Sequence, residues 1–154
     1  LPNNIPDEQS TSISHGDFGM NNVLIHPSEP RIVAILDWEL STIGHPLADL
    51  TYLLSQRYGP GSGFAKLSEA EYHAHGIPTD DEYIALYCER TGRAGVGNLD
   101  FYYAFRCFRS AGIMQGIAGR VLAGTAAGEG AAELGKRVKP LAERGLEFAS
   151  KLGA

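Results

Sequence analysis

Two apolar runs rich in β-branched residues flank a short turn: Val23-Leu24-Ile25-His26 and Arg31-Ile32-Val33-Ala34-Ile35-Leu36, separated by the four residues Pro27-Ser28-Glu29-Pro30. Such runs predict strands, and so short a connection predicts an antiparallel hairpin. Folding back brings the outer ends of the two strands to one edge. Asn22 stands just before the first strand and Asp37 just after the second. An amide oxygen and a carboxylate therefore leave the hairpin side by side.

Before the hairpin, Leu1 to Thr11 reads as a loop punctuated by Pro2, Asn3, Asn4, Pro6 and Asp7, and Ile13 to His15 as a short strand. After it the text turns helical. Pro46 suits a first helical turn, and Leu47, Leu50, Tyr52, Leu53 and Leu54 form a core-facing stripe that stops near Tyr58-Gly59-Pro60-Gly61. Ser68 with Glu71 and Thr79 with Glu82 are capping boxes. They predict a helix from Ser68 to His75 and another from Tyr83 to Thr91, ended by Gly92. Asn98 caps a segment reaching about Gly124 that is apolar on most faces, a central buried helix in which Gly112, Gly116 and Gly119 permit close approach. The last helix runs from about Glu129 to Lys151, broken or kinked at Pro140. The fold class is α+β and mostly helical, one small hairpin followed by five or six helices.

At 154 residues, 44% hydrophobic and 20% charged, the chain suits a single domain over 1–154 and is no disordered tail. A formal charge of -5 argues against nucleic acid or an anionic membrane as partner, because such binders gather Lys and Arg on one face. Phe101 to Gly124 is interrupted by Arg106, Arg109 and Arg120, short of the roughly 18 uncharged apolar residues of a membrane span. Leu1 to Ser14 lacks the basic flank and apolar core of a signal peptide. Cys88 and Cys107 form no C-x-x-C and read as buried thiols of a reducing cytoplasm.

The string His15-Gly16-Asp17-Phe18-Gly19-Met20-Asn21-Asn22 has the form H-x-D-x-x-x-x-N. In kinase chemistry an Asp so placed accepts the proton of the acceptor hydroxyl, and the Asn joins a second Asp, delivered on a following strand, in holding Mg2+. Asp17, Asn22 and Asp37 occur in that order. Alone, the first string is loose, since turns hold Asp and Asn for backbone reasons. Ile35-Leu36-Asp37-Trp38-Glu39, closing an apolar strand, makes the pattern specific. Two carboxylates and an amide oxygen at one edge repel one another without a hard cation, and an oxygen-only set suits Mg2+.

Other polar residues admit a bland reading beside a functional one. His15 reads as a structural histidine holding the loop by hydrogen bonds, with metal ligation as the alternative. Asp49 either complements its helix dipole or accepts from the amides of the Asp17 loop, and we read it as the latter. Glu39 is an exposed turn carboxylate or a contact to metal or acceptor. Arg106 and Arg109, one helical turn apart, either meet an anionic acceptor or pair with carboxylates flanking the core.

His15-Gly16-Asp17 with Asn22 and Leu24, then Ile35-Leu36-Asp37-Trp38-Glu39, then Gly44-His45-Pro46-Leu47-Ala48-Asp49-Leu50, together resemble the aminoglycoside phosphotransferase and choline kinase-like superfamily of small-molecule kinases. The nearest resemblance is to the branch associated with acyl-CoA dehydrogenases, and it covers about His15 to Leu54. It implies the larger, helical lobe of a protein-kinase-like fold, with ATP as co-substrate and Mg2+ as cofactor. It implies Asp17 as catalytic base, Asn22 and Asp37 as Mg2+ ligands, and Asp49 as support for the loop. The Gly-rich loop, strand Lys and hinge that clamp ATP have no counterpart in these residues. The expectation is therefore the C-terminal lobe of a longer kinase, inactive by itself, whose N-terminal lobe is a partner in cis. An apolar surface left by that lobe would favour a homodimer.

The expected activity is transfer of the γ-phosphate of ATP to a hydroxyl of a small molecule of aminoglycoside, choline, sugar or hydroxyacyl type. Two other classes stay open. One is a metallohydrolase with His15, Asp17, Asp37, His45 and Asp49 around a transition metal; the other is a kinase-like binding module without catalysis.

Overall fold

The computed structural model describes residues 1–6, 10–57, 67–126 and 130–153. The stop expected at Tyr58-Gly59-Pro60-Gly61 and the expected helix start at Glu129 lie outside these residues. Contacts divide the chain into two compact units, Gln9–Leu99, and Leu1–Glu8 with Asp100–Ala154.

In the Gln9–Leu99 unit, β1 (Ser12–Ser14) pairs antiparallel with β4 (Thr42–Gly44), Ile13 opposite Ile43. The expected hairpin is β2 (Val23–Ile25) with β3 (Ile32–Ile35), Val23 opposite Ile35, and its register shifts between Leu24 and Ile25. The amide of His26 donates to the carbonyl of Arg31 at 2.9 Å and closes the connection. At the other end the amide of Leu36 donates to the carbonyl of Asn22 at 2.8 Å. Pairing thus runs one step past the strands, and the backbones of Asn22 and Asp37 leave at one edge.

Helix α1 (Leu47–Gln56) buries Leu47, Leu50, Thr51 and Leu54. The spacing gives one apolar face, each fully buried leucine contributing about 1.5–3 kcal/mol. The Thr51 hydroxyl donates to the carbonyl of Leu47 at 2.9 Å, so no polar atom is stranded in that face. Tyr52 and Leu53, expected in the same stripe, are only half-buried. Both capping boxes form, at α2 (Glu69–Ala74) and α3 (Asp80–Thr91). The side chain and backbone of Ser68 hold the Glu71 carboxyl below the usual carboxylate range, and the Thr79 amide does the same for Glu82. Gly92, at φ 69°, supplies the left-handed residue that ends α3. Arg57 donates to Asp80 at 2.7 Å and to the carbonyl of Pro78 at 2.5 Å, with its guanidinium 4.9 Å from the Tyr72 ring centre. One side chain so ties the end of α1 to the first turn of α3.

The other unit is built on α4 (Asp100–Leu122), α5 (Ala131–Gly135) and α6 (Val138–Ser150). The reading of α4 as buried on most faces is corrected: Tyr102, Ala104 and Cys107 are buried, whereas Phe108 and Leu122 are 69% and 90% exposed. Only its inner stripe packs. The glycines that permit close approach are also not those of α4. A Cβ built on Gly112 or Gly119 meets nothing within 4 Å, whereas one on Gly145 of α6 stands 3.0 Å from the Cβ of Cys107, and one on Gly135 stands 3.1 Å from that of Ala118. The last helix breaks ahead of Pro140, which sits in the first turn of α6, where its missing N–H leaves no bond unmade. The Phe148 ring stacks on Tyr103 at 5.0 Å between ring centres and carries the Arg144 guanidinium at 4.6 Å. Asn4 donates to the carbonyl of Leu152 at 2.9 Å, fastening the turn Pro2–Asn4 to the end of the chain. Both cysteines are free thiols. No described helix is long and apolar enough to cross a membrane.

Candidate functional site

The loop from His15 to Asn22 joins β1 to β2 and is held from α1. Asp49 accepts the amide of His15 at 2.5 Å on one carboxylate oxygen and that of Gly16 at 2.9 Å on the other. A hydrogen bond to a charged group contributes about 1.5–3 kcal/mol. The helix dipole accounts for a carboxylate in the first turn of α1 but not for its aim at these two amides. Gly16 has φ +84°, and a Cβ there would lie 2.5 Å from the carbonyl oxygen of Leu40. The turn therefore excludes a side chain both by conformation and by space.

His15 is buried and spans the site. Its Nδ1 accepts the amide of Asp17 at 3.3 Å, and its Nε2 lies 2.8 Å from the carbonyl of Leu36. The tautomer with the proton on Nε2 satisfies both contacts. Its ring lies 4.7 Å from that of Trp38 and meets Phe18 edge-on at 6.0 Å. One imidazole thus couples the loop to the end of β3.

Asp17 is half-buried, and both of its carboxylate oxygens are engaged. Oδ2 accepts from Nδ2 of Asn22 at 3.1 Å, and Oδ1 accepts from the hydroxyl of Tyr52. The same Asn22 nitrogen donates to the carbonyl of Asp17 at 2.9 Å, while its Oδ1 accepts from Asn21 at 3.0 Å. The nitrogen end of the buried Asn22 amide therefore faces Asp17, leaving its oxygen as the acceptor end.

Asp37, whose side chain is exposed, has φ 65° and ψ 55°, the one non-glycine residue in the left-handed region among those described. That conformation costs about 1–2 kcal/mol and persists only where the surroundings impose it. The indole of Trp38 donates to the carbonyl of Ile35 at 2.8 Å, and the amide of Ser41 to the carbonyl of Trp38 at 2.9 Å. Those bonds fix the turn Trp38–Leu40, where Glu39 is exposed.

Asp17, Asn22, His15 and Asp49 are thus joined by hydrogen bonds, with Asp37 at the adjoining hairpin edge. Arg106 and Arg109 lie on α4 in the other unit, where the Arg106 charge stands beside the thiol of Cys107. Two contacts to the loop were missed from sequence. Tyr52 reaches Asp17, and Gln56 donates to the carbonyl of Phe18 at 3.4 Å. The signal for both was the spacing of 49, 52 and 56 along one helix face, which places three polar ends in a row.

An amide oxygen and a carboxylate are hard donors of the kind Mg2+ takes, and the residues present fit that ion. They do not fit a transition metal. No group of three or more His, Cys, Asp or Glu that could hold a metal ion of any kind stands among the described residues. His15 and Asp49 are committed to backbone groups, and Nδ1 of His45 accepts the amide of Leu47 at 3.3 Å.

The model of the phosphotransferase enzyme family matches residues 1–96, which contain the loop, the hairpin and α1. The chain belongs to this family. Acyl-CoA dehydrogenase family member 11 of Gallus gallus is 42% identical over 99% of the chain, and acyl-CoA dehydrogenase family member 10 of Mus musculus is 40% identical over 99%. The chain spans only 20% and 14% of the length of these relatives. A crystal structure of a candidate aminoglycoside phosphotransferase from Ralstonia eutropha JMP134 superposes with a TM-score of 0.86 at 46% identity, over 97% of this chain and 46% of that one. The resemblance carried by the three strings is thereby established, its acyl-CoA dehydrogenase branch included. The fold is mostly helical with small β pairings, as in the helical lobe of a kinase-like phosphotransferase.

Proposed function

We propose that this member of the phosphotransferase family transfers the γ-phosphate of ATP to a hydroxyl group of a small molecule, with Asp17 as the proton acceptor. The observation that carries this reading is the placement of Asn22. Its amide nitrogen binds Asp17, and its backbone carbonyl pairs with Leu36, next to Asp37. The acceptor hydroxyl gives its proton to Asp17, its oxygen attacks the γ-phosphorus in line, and the bond from that phosphorus to the bridging oxygen breaks to release ADP. Asn22 and Asp37 would hold Mg2+, which supplies neutralising charge to the phosphates when bound. Asp49 and His15 keep the loop in the geometry this transfer needs, and the exposed Glu39 is in this reading a contact to the acceptor.

ATP is clamped in this reading by a part of the kinase-like fold that these residues do not match, since the chain covers 46% of the solved relative, and the chain alone is expected to be inactive. The names of the acyl-CoA dehydrogenase relatives favour a hydroxyacyl acceptor over an aminoglycoside, choline or sugar. Two free cysteines accord with a reducing cytoplasm.

The test is transfer of labelled γ-phosphate from ATP to a panel of hydroxyl compounds by the full-length protein. Asp17→Asn is expected to lower the rate about 10²–10⁴-fold. Full-length protein that phosphorylates nothing in a broad panel and binds no Mg-nucleotide would overturn the reading.

A further inference from the structure

Three polar side chains line one face of α1, and each meets the loop at a successive position. Asp49 takes the amides of His15 and Gly16, Tyr52 donates to Asp17, and Gln56 donates to the carbonyl of Phe18. The first and last act on backbone. Tyr52 alone of the three acts on the side chain proposed to take the proton. From that contact we infer that Tyr52 is a positioning residue for Asp17, fixing its carboxylate from the helix side while Asn22 fixes it from the loop side; this rests on the reading of Asp17 as proton acceptor.

A carboxylate has about four acceptor directions on its two oxygens. Tyr52 and the Asn22 side chain take one on each oxygen, leaving acceptor capacity for an incoming hydroxyl. Two donors set against opposite oxygens also restrain rotation about the bond to the carboxyl group, which one donor would permit. A reacting group displaced by about 1 Å can cost a hundredfold in rate, so this restraint bears on turnover. The plain alternative is that the Tyr52 ring only packs, as its place in the apolar stripe of α1 suggested. A hydroxyl that merely avoids burial unpaired would have no need to end on this carboxylate.

Tyr52→Phe removes the hydroxyl and keeps the ring. In full-length protein, with Mg-ATP hydrolysis in the absence of acceptor as the probe, kcat is expected to fall about tenfold to a hundredfold. KM for Mg-ATP should stay within about twofold. Adding Tyr52→Phe to Asp17→Asn should lower the rate no further, because the effect runs through Asp17. Phenylalanine keeps the ring, so a role in packing alone would instead leave kcat unchanged.

The outcomes separate the two readings. Asp17→Asn without effect sinks the assignment of the proton acceptor and this inference with it; loss with Asp17→Asn but unchanged kcat with Tyr52→Phe sinks only the inference. A geometric readout needs no turnover. In crystals of full-length Tyr52→Phe protein, the Asp17 carboxylate is expected in a new or second rotamer, and a single unchanged rotamer would overturn the role given to Tyr52.

Discussion

Asp49 and Gly16 are 33 residues apart in sequence and 2.9 Å apart in space, the carboxylate of one accepting the amide of the other. With the second bond to His15, this makes the first turn of α1 a clamp on the loop that carries Asp17. Asp49→Asn puts an NH2 group against one of two amide donors and removes the charge from the other bond. The expected loss is about 1.5–3 kcal/mol. Urea unfolding of the variant checks this, and an unchanged midpoint would return Asp49 to a simple helix-dipole role.

Gly16→Ala should disrupt the same loop from the other side. The left-handed backbone alone costs a non-glycine residue about 1–2 kcal/mol. The new methyl would also press on the backbone oxygen of Leu40, which cannot swing aside as a flexible side chain would. Lower stability together with weakened phosphotransfer is expected. Normal values of both would mean that the turn adapts.

The hairpin, the two capping boxes and the loop motif were legible because each is specified locally: β-branched runs around Pro27 and Pro30, Ser68 with Glu71, Thr79 with Glu82, and Asp17 with Asn22. β4 was not legible. Three residues carry no periodicity, and Thr42–Gly44 becomes a strand only by pairing with β1. The faces of α4 were misread for a related reason: apolar content says what a residue tolerates, not which neighbour arrives, and the glycines that fit lie on α5 and α6. Tyr52 was assigned to the apolar stripe by its ring, and its partner Asp17 lies 35 residues earlier in the chain.

Asp37→Gly and Asp37→Asn separate backbone from carboxylate. Glycine relieves the left-handed conformation while adding freedom to the unfolded chain, so stability should hold steady or rise by up to about 1 kcal/mol. Phosphotransfer should nonetheless collapse in both variants if the carboxylate holds the cation. A clear loss of stability in Asp37→Gly, measured in urea, would show that the side chain is structural.

Burial pushes the Cys107 thiol above its usual ionisation range, opposed in part by the neighbouring Arg106. With the folded value raised, this group's contribution to stability is complete below the unfolded thiol's value of about 8.5 and is lost as pH rises through the folded one. Denaturant stability should therefore fall less steeply from pH 8 to 10 in Cys107→Ala than in the parent protein. A disulfide reagent at pH 8 should modify the half-buried Cys88 first and reach Cys107 only on unfolding. Equal rates in native protein would contradict this.

Whether Asn22 and Asp37 share one cation is most directly tested by a crystal structure of the full-length protein with Mg2+ and a non-hydrolysable ATP analogue. Oδ1 of Asn22 and a carboxylate oxygen of Asp37 are expected on the same ion at about 2.1 Å each, with Asp17 facing the γ-phosphate. An ion bound without both residues, or their oxygens standing more than roughly 8 Å apart, beyond what two such bonds can span, would contradict the one-site phosphotransferase.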